Sequence, residues 1–500
     1  MALILLPNIL TYERQRDIQL YDETFYLESG NHITDVQDGV SYFTYYKLLN
    51  FFFKNPVDRY FVGYVLLVYL VSFAFIFTAN TTRELFVNIS FLAILLTSPL
   101  VLSAMPFITL FSSFLLLILI YAFYHKKYVL FLILGFVLAY ARVEFFGYAL
   151  FSIFFILPYL IKNKNKTNLS IYITFCIGLI VSYFKNPSSH ERAYIAFCQH
   201  YAFSKFNKGL YNDDPWTTCG SLILKDFGRE GHMEDILFGN FAVLLEHMGS
   251  NLIELFKIVS VKFNVPVLIV VILAVVVLSF EFLRVIRNVN KKRWSGLSQS
   301  LLVLALMSVT MFGPIFYFPR DHYLIQIFVV FLTLSKRNSV IIKNIFISLG
   351  KRFDFRLIIS VILVVVFYLF FTGIKSFKKL RDSSLTNECG TLRLIETFKY
   401  AKLGKINVLN PEGDFCAYFG KETCKSILPY EKQNNFNQFI ETKNVNVIIY
   451  TDYFDHNPEY REDDEFKSFV RNQFKINSKI KFIEDPMFTC KYRKVLIREM

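Results

Sequence analysis

Three short stretches of this 500-residue chain set acid, base and cationic side chains beside apolar sequence. The first is Tyr21-Asp22-Glu23-Thr24-Phe25-Tyr26-Leu27, just ahead of the first long apolar window. Helical spacing groups Asp22 with Tyr26, and Glu23 with Tyr26 and Leu27. An interfacial helix would point these carboxylates at a cavity and hold its aromatics in a headgroup layer; the other reading is a solvated loop with acids favouring a helix N-terminus. The second stretch, Arg142-Val143-Glu144, lies between two apolar windows, where ionised groups need partners or a wet cavity. The third, Arg320-Asp321-His322-Tyr323, follows a long apolar run loosened by Gly313, Pro314 and Pro319. A guanidinium at such a turn either clamps a phosphate through two parallel hydrogen bonds or snorkels to an interface.

Other chemistries find little support. His190, His200, His232 and His247 are scattered without ligand spacing; there is no HExxH or CxxC, no DxD ahead of the C-terminal region, and Asp452-Tyr453-Phe454-Asp455 is a weak match, so no metal site is expected. Neither a GxGxxG nor a Walker lysine is present, so nucleotide binding is not expected. The net charge of +14 raises the question of nucleic acid, but many of the cations sit in short clusters between apolar runs, where they act as topology signals. No nucleic-acid partner is expected.

The elements that must position these residues are membrane helices. At 54% hydrophobic, 18% aromatic and 19% charged, with a mean hydropathy of +0.40, the chain is too apolar for a soluble enzyme. A bilayer core of about 30 Å needs roughly 20 apolar residues per helix. The windows are Tyr60 to Thr82, Leu85 to Tyr124 (two spans, broken near Pro99 and Pro106), Tyr128 to Ala141, Phe145 to Ile161, Thr167 to Phe184, Phe263 to Phe280, Ser298 to Pro319, Tyr323 to Ser335 and Leu357 to Ile374. With the apolar stub Met1 to Leu10, read as a truncated first helix, the expectation is a mainly α polytopic protein of about ten to eleven transmembrane helices.

Basic clusters orient the spans. His125-Lys126-Lys127, Lys162 to Lys166, Arg284 to Arg293 and Lys336 to Arg356 all fall on one side, which is therefore cytoplasmic. All three candidate stretches then face the extracytoplasmic side. The expected organisation is a first external region 1–59, spans over 60–184, a large external loop 185–262, spans over 263–374 and a small extracytoplasmic α/β domain 375–500. Within that domain Ile406 to Leu409 and Val445 to Tyr450 read as strands, Leu392 to Leu403 and Phe466 to Phe474 as helices, and Phe482 with Cys490 to Arg498 as closing strands. Every cysteine but Cys176 faces the oxidising side; Cys198 with Cys219 is a reasonable pair, and Cys389, Cys416, Cys424 and Cys490 allow three connectivities.

Taken in order, the acidic pair in the first external region, the Arg142-x-Glu144 turn, the long loop ending in an amphipathic helix and the Arg320-Asp321-His322-Tyr323-Leu324 turn resemble the GT-C superfamily of polytopic glycosyltransferases. The resemblance lies near the family 39 group, which includes protein O-mannosyltransferases and the lipid A aminoarabinose transferase. It covers residues from about 11 to 374 as architecture. Tyr21-Asp22-Glu23-x-x-Tyr26 matches best, Phe238 to Asn251 is similar to the family's loop helix, and Arg320 to Leu324 resembles its Arg-Tyr-Leu turn with two residues inserted. The main departure is the missing first span, which in the family threads the acidic motif to the outside.

The resemblance implies an integral inner-membrane enzyme whose donor is a sugar on a polyprenyl phosphate and whose acceptor is a hydroxyl on a glycan, lipid or protein. Asp22 would be the general base on that hydroxyl, with Glu23 or Glu144 orienting acceptor or sugar hydroxyls. Arg320 and Arg142 would stabilise the departing lipid phosphate, with Tyr26, His322 and Tyr323 in the substrate site. A monophosphate leaving group requires no cofactor, though the chemistry tolerates a divalent metal. The rival readings are an O-antigen-type polymerase or ligase, which would lean on external arginines and histidines, a lipid or polysaccharide transporter, for which no internal repeat is visible, and a nonenzymatic scaffold.

Overall fold

The computed structural model describes residues 40–331 and 405–499, each with short breaks, and residues 374, 375 and 378 between them. Asp22, Glu23 and Tyr26, the Met1 to Leu10 stub, the expected Leu392 to Leu403 helix, Cys389, Cys490 and all but the last residue of the Leu357 to Ile374 window lie outside the described residues.

Each described apolar window is a helix. They run Pro56–Phe77, Thr82–Thr97, Thr109–Tyr124, Tyr128–Ala141, Phe145–Lys162, Lys166–Lys185, Val267–Asn290 and Trp294–Phe316, with helix resuming over 323–331. The Thr109–Tyr124 helix packs between Pro56–Phe77 and Tyr128–Ala141, which in turn holds Phe145–Lys162, and Trp294–Phe316 closes on the latter. Their buried seam includes Phe75, Leu116, Leu119, Leu138 and Phe145. On the outside, too, many apolar side chains are exposed. Phe73, Phe86, Leu268 and Phe154 (73% accessible) are exposed, while Asn88, Ser112, Ser113 and Gln326 are buried, Gln326 donating to Ser112 Oγ. Isolated exposed apolar residues are ordinary; many of them on one bundle that buries polar groups suit an apolar surrounding. Among the described residues one helix, Gly296–Phe316, is both long and apolar enough to cross a membrane by itself.

A helix not anticipated in the sequence, Val40–Asn50, precedes these. It lies back on Pro56–Phe77 at Gly63, where an added Cβ would come within 2.9 Å of Leu49 Cδ1 and where Tyr45 donates to the Gly63 carbonyl at 2.8 Å. Ser41 donates to the Val137 carbonyl, and the Tyr42 and Tyr45 rings pack on Phe111. The chain leading out of the acidic stretch is thereby fixed to the same helix ends that carry the Arg142 turn.

The C-terminal region holds a five-stranded mixed sheet: β1 Ile406–Leu409, β2 Cys424–Ile427, β3 Val447–Thr451, β4 Phe482–Glu484 and β5 Arg493–Arg498, in the order β2-β1-β3-β5-β4. β1 runs parallel to β2 and β3; β5 is antiparallel to β3 and β4. Side chains alternate between two buried faces, Val447 and Ile449 with Phe415 and Val495, Ile448 with Phe436, Phe466 and Leu496, which is why β3 reads as an unbroken apolar run. Boundaries moved for backbone reasons. The helix expected over Phe466 to Phe474 is Asp464–Arg471, ended by Gln473 and Phe474 at positive φ. β3 starts two residues later than expected because Asn444 is left-handed and the Val445 N–H bonds the Ile440 carbonyl. β2 and the Phe436–Thr442 helix, capped by Asn435, were not foreseen. Cys416 bonds to Cys424, and the Phe415–Tyr418 turn packs against the Pro56–Phe77 helix.

Candidate active site

The two turns identified in sequence, 142–144 and 319–323, meet. Arg142 caps the Tyr128–Ala141 helix through its N–H to the Leu138 carbonyl, and its own carbonyl receives the Phe145 N–H at 3.1 Å, so the reversal aims the side chain across the bundle end. Arg142 Nε donates to Glu144 Oε1 at 2.6 Å, and a terminal guanidinium nitrogen reaches the same oxygen. The guanidinium carbon stands 4.9 Å from the Tyr323 ring centroid, and the Tyr323 side chain shares a hydrogen bond with it. Burial works against the Arg142 charge, yet Glu144 and then Tyr323 outweigh it and hold the group cationic. Tyr323 can approach because residue 313 is glycine: a Cβ there would lie 3.3 Å from Tyr323 Cε1.

The chain before this turn is held open by the large loop. The Trp294–Phe316 helix stops short of the expected Pro319, leaving terminal carbonyls to satisfy. Asn251 Nδ2 donates to the Ile315 and Tyr317 carbonyls at 3.0 and 3.1 Å, and His247 Nε2 lies 2.9 Å from the Tyr317 oxygen, which it reaches as a donor. Both project from the Phe241–Phe263 helix, the amphipathic element foreseen in the loop. Burial, and to a smaller degree nearby Lys208, push the His247 imidazole down to about 4, so it acts as a neutral cap. Asp321 pairs with Lys262 from the end of the same helix.

His322 is buried, its ring 4.4 Å from that of Tyr323. Burial and then the charges of Arg320 and Arg142 push it well below the ordinary imidazole range. The Arg320 guanidinium carbon stands 5.7 Å from the Trp216 ring centroid. Beside it the His200 ring is edge-on to Trp216 at 5.9 Å and to Tyr317 at 6.3 Å, and burial followed by the Arg320 charge pushes His200 down to about 3. Two guanidiniums thus face neutral imidazoles and aromatic rings, a surrounding of low polarity in which a fixed cation acts strongly on an anion.

Of the residues singled out in sequence, Arg142, Glu144, Arg320, His322 and Tyr323 come together, whereas Asp22, Glu23 and Tyr26 lie outside the described residues. Sequence reasoning missed Trp216 and His200. Trp216 is one of two tryptophans in the chain, in Asp213-Asp214-Pro215-Trp216, and that scarcity was the available signal; His200 had none. Cys198 and Cys219 are bonded as expected. Among the described residues no group of three or more His, Cys, Asp and Glu side chains is arranged to hold a metal.

No protein-family model matches the chain, and no curated protein does. Among solved structures it is similar to the apo oligosaccharyltransferase of Archaeoglobus fulgidus, with a TM-score of 0.43 and 10% identity over 92% of this chain and 72% of that one. A likeness of that degree bears on neither activity nor substrate.

Proposed function

We propose that this protein is a multi-span membrane glycosyltransferase of the GT-C type that moves a sugar from a polyprenyl phosphate to a hydroxyl acceptor on the extracytoplasmic face. The observation that carries the reading is the meeting of two turns far apart in sequence, which puts Arg142, Glu144, Arg320, His322 and Tyr323 at one end of the helical bundle. The Val40–Asn50 helix, held to Phe111 and Val137, brings the chain that follows the acidic stretch to the same end. The many exposed apolar side chains of the bundle support a bilayer location, and the ion pair of Arg461 with Asp213 of the large loop supports a C-terminal domain on the same, extracytoplasmic side as that loop.

In this mechanism Asp22 removes the acceptor's hydroxyl proton as that oxygen attacks the anomeric carbon. The bond from that carbon to the phosphate oxygen breaks, and the phosphate leaves as a monoester carrying one more negative charge. Arg320 and Arg142 offset the added charge, beside the neutral ring of His322. Glu144 fixes the Arg142 plane and, with Glu23, orients sugar hydroxyls.

The arginine and histidine content of the described cluster favours a second reading, the polymerase or ligase type, which would dispense with an acidic base. The readings separate in a transfer assay on purified protein in lipid with radiolabelled polyprenyl-phosphate sugars. Arg320→Gln should suppress turnover in either case, whereas Asp22→Asn should abolish it only in the first. Full turnover by Asp22→Asn shifts the assignment to the second.

A further inference from the structure

Arg320 is a long side chain with many rotamers, and a site that uses its charge gains by fixing it beforehand. The fixture is the 208–219 segment of the large loop. Trp216, 39% accessible, lies under the Arg320 guanidinium. Its indole packs beside Phe203 at 5.5 Å and against the edge of His200, whose neutral imidazole does not repel the arginine. Its main chain is held at both ends: the N–H donates to Asp214 Oδ1 at 3.3 Å, and the carbonyl accepts from Gln199 Nε2 at 2.9 Å. Asp214 is itself buried and takes the Thr217 hydroxyl at 2.7 Å. Gln199 adjoins Cys198, and Cys219 closes the segment, so the Cys198–Cys219 disulfide fastens the side that carries the Gln199 bond to the side that carries Trp216.

We propose that Trp216 is a positioning residue for Arg320, and that the Cys198–Cys219 disulfide fixes Trp216 in place, so that the phosphate-facing cation is set by an oxidised loop. The inference rests on the reading of Arg320 as a contact to a lipid-linked phosphate. A cation over an indole contributes about 0.5–2 kcal/mol, so losing the ring should weaken phosphate binding roughly 2- to 30-fold.

The test is equilibrium binding of a radiolabelled polyprenyl monophosphate to the full chain in lipid nanodiscs. Trp216→Leu should weaken binding within that range, Trp216→Phe should restore most of it, and the Cys198→Ser/Cys219→Ser variant should behave like Trp216→Leu. In an Arg320→Gln background Trp216→Leu should have no further effect, because a residue acting through Arg320 has nothing left to position. A merely structural tryptophan would give additive losses, and additivity overturns the inference, as does unchanged binding by Trp216→Leu. Wild-type protein that binds no polyprenyl monophosphate overturns the functional reading and the inference with it.

Discussion

The Arg142–Glu144 pair gives the sharpest test of the site's physical description. Its side chains are 11% and 17% accessible, so removing one partner strands the other in a poorly hydrated place. For fully buried pairs that costs about 3–5 kcal/mol. Glu144→Gln keeps an acceptor oxygen for Arg142 Nε and leaves the Tyr323 ring beneath the guanidinium, so the loss should be about 2–3 kcal/mol. Arg142→Gln should cost less, about 1–2 kcal/mol, because the Glu144 side chain it leaves behind is the more accessible of the two, 17% against 11%. The double variant should recover at least about 1 kcal/mol relative to the sum of the singles. With about 2 cal/mol/K of unfolding entropy per residue, a unit of this length shifts roughly 1 °C per kcal/mol, giving about 2–3 °C for Glu144→Gln. Thermal unfolding of the purified protein in detergent, followed by near-ultraviolet circular dichroism, measures it. A Glu144→Gln protein that melts with wild type, or an Arg142→Gln protein that melts below Glu144→Gln, would refute the picture of a poorly hydrated pair.

Other consequences follow from the same geometry. His200, pushed down to about 3, stays unprotonated in the fold where the unfolded chain takes up a proton near 6.5, so its stabilising effect is complete above about pH 6.5 and falls as pH drops from there toward 3. Melting between pH 7.5 and 5 should lose up to about 2 kcal/mol per such histidine, and His200→Gln should flatten the slope; an unaltered slope contradicts this. Replacing both Cys198 and Cys219, 21 residues apart, should cost about 3 kcal/mol of stability, checked by the same melts. Asn251→Ala strands the Ile315 carbonyl and leaves that of Tyr317 to His247, and should cost about 1–3 kcal/mol, whereas Arg461→Gln, which breaks an exposed pair with Asp213 at 3.4 Å, should cost less than about 1 kcal/mol. Cysteine-accessibility labelling should find position 430, exposed in the C-terminal domain, on the extracytoplasmic side; cytoplasmic labelling would invert the topology.

What the sequence disclosed follows from which forces act locally. Apolar runs bounded by lysine and arginine clusters reported helix positions well, since each run meets the same requirement whatever its neighbours; Tyr128–Ala141 is one residue for residue. Ends that depend on tertiary partners were less visible. The helix stopping at Phe316 is a case, because Asn251 and His247 take its last carbonyls and neither lies near it in sequence. The Arg142 and Arg320 turns were recognisable singly as costly charges near a bilayer, yet their meeting depends on the packing of Trp294–Phe316 on Phe145–Lys162 and on the small Gly313. Trp216 and His200 stayed hidden because their role comes from a disulfide-fastened loop folding over Arg320.

The central claim is that a lipid-linked sugar is the donor and Asp22 the base. It is tested most directly by measuring sugar release from radiolabelled polyprenyl-phosphate donors by the purified protein in lipid, wild type beside Asp22→Asn at equal expression and insertion. Turnover by wild type that vanishes in Asp22→Asn is the predicted result. Equal turnover by the two proteins, or none by folded wild type with any donor, would contradict it.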